Sequence, residues 1–137
     1  MTAAAVSAIA NGGNLYEPRV ASAVIKDGRR VVVPHTLVRR AVEPRIAAAM
    51  TTIMEQVVER GTATMAQLPG FGVAGKTGTA AKLVNGRYSR SEYNASFVGF
   101  VPARKPIFTI VVVLDSPHGP NGYYGGPVSG PIFKRIA

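Results

Sequence analysis

The chain has 137 residues, 47% of them apolar, with no Cys, no Trp, and 16 Lys and Arg against 7 Asp and Glu, giving a formal charge of +9. This apolar content, spread along the whole length, can offset the entropy of ordering and excludes wholesale disorder; the lack of Cys and the wide spacing of His35 and His118 exclude a disulfide framework and a zinc site. The longest apolar runs, such as Ile110 to Leu114, fall far short of the roughly 20 residues a spanning helix needs, and the cations lie in scattered short pairs such as Arg29-Arg30 and Arg39-Arg40, without the aromatic-interleaved stripe of a nucleic-acid binder.

Thr2 to Ala10 is Ala-rich and ends in Asn11-Gly12-Gly13-Asn14, where glycine can stop a helix, so a short opening helix is expected. Val20 to Ile25 and Arg30 to Val33 are β-branched runs flanking Lys26-Asp27-Gly28-Arg29, whose Asp-Gly pair suits a tight hairpin turn. From Glu43 to Arg60, Ile46, Met50, Ile53, Met54, Val57 and Val58 fall on one helical face, with Pro44 in the first turn and Gly61 closing the last. Phe71 to Ala80 alternates like a strand, with an Asn85-Gly86 turn beyond it. Asn94 to Val101 and Ile107 to Leu114 are strands joined by Pro102 to Pro106, a loop too short for a parallel crossover. A glycine-rich loop from His118 to Gly126 leads into a helix over Val128 to Ala137. The three later strands are expected in one sheet, and the order predicts an α+β fold with helices packed on an antiparallel sheet.

Gly70-Phe71-Gly72-Val73-Ala74-Gly75-Lys76-Thr77 satisfies G-x-x-x-x-G-K-[ST], the phosphate-binding loop, and Ile110 to Asp115 imitates an apolar strand ending in a magnesium-binding Asp. A P-loop NTPase is therefore one reading. A phosphate loop must follow a buried strand and open a helix. Ala66-Gln67-Leu68-Pro69 before it make no such strand, and Asn85-Gly86 leaves little room for a helix after it. A basic nucleic-acid-binding module is a further alternative, and attraction of an anionic substrate such as a carboxylate is another use of the charge.

Lys76-Thr77-Gly78-Thr79 also fits K-T-G, which with S-x-x-K and S-D-N marks penicillin-binding proteins and class A β-lactamases. Its surroundings carry more weight than the tripeptide. They are Val73 to Ala80, Tyr93-Asn94-Ala95-Ser96-Phe97-Val98-Gly99-Phe100-Val101-Pro102, Val111 to Pro117, and Tyr123-Tyr124-Gly125-Gly126-Pro127-Val128-Ser129-Gly130-Pro131-Ile132-Phe133. Together with Ala10-Asn11-Gly12-Gly13 and Val57-Val58-Glu59-Arg60-Gly61-Thr62-Ala63, these closely resemble the C-terminal part of the transpeptidase domain of class B penicillin-binding proteins, especially the septal type, over nearly the whole chain.

The resemblance implies part of a β-lactamase/transpeptidase-like fold. It also implies a serine D,D-transpeptidase that cross-links peptidoglycan stem peptides ending in D-Ala-D-Ala, is acylated by β-lactams, and uses no metal or cofactor. By the same resemblance Lys76 polarises the site, Thr77 and Thr79 hold the substrate carboxylate, the Thr79 amide is an oxyanion donor, and Gly78 lets the ligand approach. Alternation in a strand independently sends the Thr77 and Thr79 side chains to one face, and burying the Lys76 charge without a partner would be costly. Tyr123 and Tyr124 either line an apolar wall near the site or pack beneath the last helix. Asn94 and Ser96 are expected in a structural role at a sheet edge, and His118 in solvent.

Neither S-x-x-K nor S-x-N occurs: Ser22 with Lys26 is one residue too long for the first, and Ser91 with Asn94 one too long for the second. In the family both lie upstream of the region resembled. Residues 1–137 are therefore expected to be a C-terminal piece of a transpeptidase domain, inactive alone, that meets the rest of its domain and divisome proteins and is prone to self-association through exposed apolar surface. The resemblance places the parent at the extracytoplasmic face of the bacterial inner membrane. A noncatalytic sensor relative would share every motif present here.

Overall fold

The computed structural model describes residues 2–137. Helix α1 (Thr2–Ala10) ends where Gly12 and Gly13 take positive φ. Gly13 is needed doubly, because a Cβ there would lie 2.0 Å from the Val42 carbonyl oxygen. The chain then forms β1 (Asn14–Tyr16), the hairpin β2 (Ala23–Lys26) and β3 (Arg29–Val32), and β4 (Leu37–Arg40), which returns to pair antiparallel with β1. Asp27 and Gly28 supply the positive φ angles expected at the hairpin turn. The β1–β4 pair was not apparent from the sequence, because strands of three and four residues carry too little alternation to read.

Helix α2 (Pro44–Arg60) has the expected bounds, with Pro44 in its first turn. Its inward face is the expected one only in its second half, where Met54 and Val58 are buried and Val57 packs against the core. Ala47, Thr51, Met54, Glu55 and Val58 are buried, while Ile46, Met50 and Ile53 are 45%, 37% and 57% exposed. Of the buried polar groups, Thr51 Oγ1 donates to the Ala47 carbonyl at 2.9 Å and Glu55 pairs with Arg104 at 2.5 Å, while Gln56 Oε1 is buried without a partner although its Nε2 donates to Glu59 Oε2 at 3.0 Å. Gly61 closes the helix without entering the left-handed region; a Cβ there would sit 2.8 Å from the Val57 backbone, which makes the requirement steric.

Beyond a 3-10 turn at Thr64–Ala66, β5 (Ala74–Val84), β6 (Arg87–Val101) and β7 (Phe108–Asp115) form one antiparallel sheet in the order β5-β6-β7. β5 is an edge strand. It begins at Ala74 rather than Phe71, since Gly70 turns the chain and Phe71 only bridges to Leu68. Beyond Ala80, β5 and β6 continue as a long hairpin around Asn85-Gly86. Helix α3 (Gly125–Ile136) starts three residues before the expected Val128, with Pro127 accommodated in its first turn.

Two apolar clusters hold these layers together. On one sheet face Phe97, Val101 and Val112 pack with Val58, Ala63, Ala66, Val73 and Phe133, and the Phe97 and Phe133 rings meet edge-on at 4.8 Å. Phe100, three residues from Phe97, points to the opposite face and packs with Ala74, Met54, Ala103 and the Val6 and Ile9 side chains of α1. Ser129 of α3 is fully buried and donates to the Ala95 carbonyl at 3.1 Å, tying the helix to the central strand.

Candidate active-site strand

The stretch Gly70–Thr77 is neither preceded by a parallel strand nor followed by a helix, so it cannot cradle phosphate in the manner of a P-loop. Lys76, Thr77, Gly78 and Thr79 instead lie consecutively on the sheet's free edge, paired on their other side with Val98, Phe97, Ser96 and Ala95 of β6. Strand alternation puts Thr77 and Thr79 on the α3 side, and Lys76 with Gly78 on the other.

Each side chain is held by a specific contact. The hydroxyls of Thr77 and Thr62 are 2.8 Å apart, and Thr79 Oγ1 accepts a hydrogen bond from the Gly125 amide at 3.2 Å. Lys76 is exposed rather than buried, and its Nζ donates to the Thr77 carbonyl at 2.8 Å. A Cβ on Gly78 would come within 2.5 Å of Ser96 Oγ, so glycine is what lets the central strand's serine sit against the site strand. Asn94 and Ser96 thus belong to the middle strand of the sheet and not to an edge.

Three residues outside the K-T-G run shape this place and were given no role at the site from the sequence: Thr62, Gly125 and Gly126. A Cβ on Gly125 would lie 2.2 Å from the Ser96 carbonyl oxygen and 2.5 Å from that of Gly78; one on Gly126 would lie 2.0 Å from the Thr62 carbonyl oxygen. The Gly-Gly pair therefore lets the N-terminus of α3 dock directly on β5. The signal was present as two adjacent glycines opening a helix, but its meaning lay in contacts with a strand 46 residues earlier. Along the free edge of one strand an exposed ammonium stands on one face, and two hydroxyls with the positive end of a helix dipole on the other, groups of the kind that bind a carboxylate.

Tyr123 and Tyr124 do not pack beneath α3. They stand ahead of it, where Tyr123 stacks on Tyr93 of β6 (centroids 4.3 Å apart, 11° between planes) and on Tyr124 (4.7 Å, 28°). Tyr124 is 58% exposed and forms the outer leaf of this three-ring shelf. The hydrogen bond between the two phenols raises the Tyr123 pKa above its ordinary value. His118 lies exposed on the loop before the shelf. Among the described residues no group of three or more His, Cys, Asp or Glu is placed to hold a metal.

The other charged cluster is centred on Lys82, whose Nζ lies 2.6 Å from Asp115 Oδ1, 3.0 Å from Ser116 Oγ and 3.6 Å from Glu92 Oε2. The hydrogen bond to Asp115 raises the Lys82 pKa, and the same bond, aided by one from Ser116, lowers that of Asp115.

A family model for the penicillin-binding protein transpeptidase domain matches residues 1–137. A probable peptidoglycan D,D-transpeptidase, PenA, of Neisseria gonorrhoeae is 40% identical over 127 residues, covering 86% of this chain and 21% of that protein. Stage V sporulation protein D of Bacillus subtilis is 35% identical over 136 residues, covering 97% of this chain and 21% of that protein. The apo structure of penicillin-binding protein 3 from Mycobacterium tuberculosis superposes with a TM-score of 0.87 at 31% identity, covering 98% of this chain and 32% of that one. The chain thus spans about a fifth of the length of these curated relatives.

Proposed function

The chain belongs to the penicillin-binding protein transpeptidase domain family, and on that footing we propose that it supplies the carboxylate-binding edge of a longer serine D,D-transpeptidase that cross-links peptidoglycan. The observation that carries this reading is the disposition of Lys76, Thr77 and Thr79 on a free strand edge, with the Gly125 amide bonded to Thr79 Oγ1. A peptide ending in D-Ala-D-Ala lies alongside β5 as an added strand, using backbone groups that β6 leaves unclaimed. Lys76 and the two threonine hydroxyls bind its terminal carboxylate, and the excess of basic side chains attracts it.

The nucleophile is a serine contributed by a part of the protein outside this chain, because no S-x-x-K occurs within it. Its oxygen attacks the penultimate carbonyl, and the Thr79 amide donates to the oxygen that becomes negative. Collapse of this intermediate expels D-Ala and leaves an acyl-serine, which the amine of a second stem peptide then attacks. β-Lactams enter the same path, their carboxylate occupying the threonine site and their ring carbonyl taking the place of the scissile amide. The Tyr93–Tyr123–Tyr124 shelf bounds the site on its apolar side. The reaction belongs at the extracytoplasmic face of the inner membrane, where the substrate is; no described helix of this chain is long and apolar enough to cross a membrane.

The test is acylation of the full-length transpeptidase by a fluorescent penicillin. Wild type is expected to label, Lys76→Ala to label about 100-fold more slowly, and the isolated 137-residue chain not to label at all. Labelling of the isolated chain overturns the assignment of the nucleophile to another segment. Failure of the full-length protein to label overturns the reading itself and leaves a noncatalytic relative.

A further inference from the structure

Lys82 occupies a break in the sheet. Between the Ala81–Tyr93 and Leu83–Tyr88 pairs the β5–β6 ladder is interrupted, so that Lys82 alone stands opposite Ser89 to Glu92. The surplus on β6 is folded away on Ser89 Oγ, which accepts from the amides of Ser91 at 3.2 Å and Glu92 at 3.0 Å. Freed from the ladder, the Lys82 side chain crosses β6 and reaches the end of β7, a strand with which β5 does not pair. Ser116, its other partner there, is the first residue after β7 and has a φ of 45°, a conformation that non-glycine residues rarely adopt without support.

That support comes from three directions. Ser116 Oγ accepts from Lys82 Nζ and donates to Asp115 Oδ1 at 2.9 Å, while the Ser116 amide donates to the Tyr93 carbonyl at 2.9 Å. Ser116 opens the loop that ends in Tyr123 and Tyr124, and Tyr123 stacks on that same Tyr93. The loop is thus fastened at both ends to one residue of β6. Between the fastenings Gly119 and Gly122 carry positive φ, and the Gly122 amide donates to the Gly119 carbonyl at 3.1 Å, closing a turn within the loop.

We propose that Lys82 is a positioning residue: by clamping Asp115 and Ser116 it sets the course of loop 116–124, and so holds the tyrosine shelf in place for ligands whose side chain reaches it. Isolated exposed ion pairs contribute little, but a lysine shared among two carboxylates and a hydroxyl at a strained backbone position acts on geometry rather than on overall stability. The inference rests on the transpeptidase reading for the meaning of the shelf, though not for the existence of the clamp.

The test uses the full-length protein with Lys82→Met and Lys82→Arg. Acylation rates are measured with benzylpenicillin, whose phenyl group can lie on the shelf, and with 6-aminopenicillanic acid, which has no such group. Lys82→Met is expected to slow benzylpenicillin about tenfold while changing 6-aminopenicillanic acid by less than about twofold, and Lys82→Arg to recover most of the loss. Hydrogen exchange of amides 117–124 is expected to quicken about tenfold in Lys82→Met, with the β6–β7 ladder unchanged. Equal slowing of both penicillins, or unchanged exchange in the loop, overturns the proposal. If wild type reacts with neither penicillin, the transpeptidase reading has failed, and loop exchange alone decides the clamp.

Discussion

Glycines in this chain serve two different needs, and substitution separates them. Gly86 has a φ of 75° with open space where a Cβ would stand, so its requirement is conformational. Gly126 has ordinary backbone angles but no room, because the Thr62 carbonyl oxygen blocks the position at 2.0 Å. Thr62 is also the hydroxyl partner of Thr77, so displacement of α3 would be felt on β5. Gly126→Ala is expected to cost about 1–3 kcal/mol of stability through overpacking, and to slow β-lactam acylation of the full-length protein. Urea denaturation alongside an acylation assay checks both effects; an unchanged acylation rate would show that α3 can retreat without disturbing β5.

Helix α2 shows how periodicity can find an element and still mistake its orientation. Ile46, Met50 and Ile53 repeat at the same spacing as Ala47, Thr51 and Met54, one residue out of step. Apolar scoring draws the face through the first set as well as through Met54, Val57 and Val58, because its side chains are larger. Burial selects the second, whose smaller residues include the almost fully enclosed Ala47. The sheet is easier to read, since each strand needs only alternation, and Phe97 and Phe100 divide between its faces as a period of two requires. Phe97 is fully buried between the sheet and α3, and its ring also fills the space that a side chain on Gly75 would occupy. Phe97→Ala in the full-length protein is expected to lose about 3–5 kcal/mol in equilibrium unfolding; a loss below about 1 kcal/mol would mean that α3 contributes little to holding the sheet.

Taken together, the helices and sheet leave several apolar surfaces uncovered among the described residues, including the Ile46–Met50–Ile53 stripe of α2, Val113 on the sheet, which is 61% exposed, and Val24, Ile25, Val31 and Val32 of the β2–β3 hairpin. Water-exposed apolar stripes of this kind favour association. The isolated 137-residue chain is therefore expected to sediment with a concentration-dependent average mass, and Ile53→Glu to shift it toward monomer. Monomeric sedimentation of the unaltered chain at all concentrations would remove this expectation.

The K-T-G strand, the Asp27-Gly28 hairpin, the bounds of α2 and the common face of Thr77 and Thr79 were legible without coordinates, because torsional preference and side-chain alternation act between residues close in the chain. The partners of those residues were not. Thr62 meets Thr77 across 15 positions, Gly125 meets Thr79 across 46, and Lys82 reaches Ser116 across 34. Such pairings follow from how helix and sheet close on one another, and packing of that kind leaves no local pattern in the chain. That Lys76, Thr77 and Thr79 share one strand was therefore written in the order of residues, while the contacts that fix their side chains exist only once α3 and its preceding loop have docked on the strand.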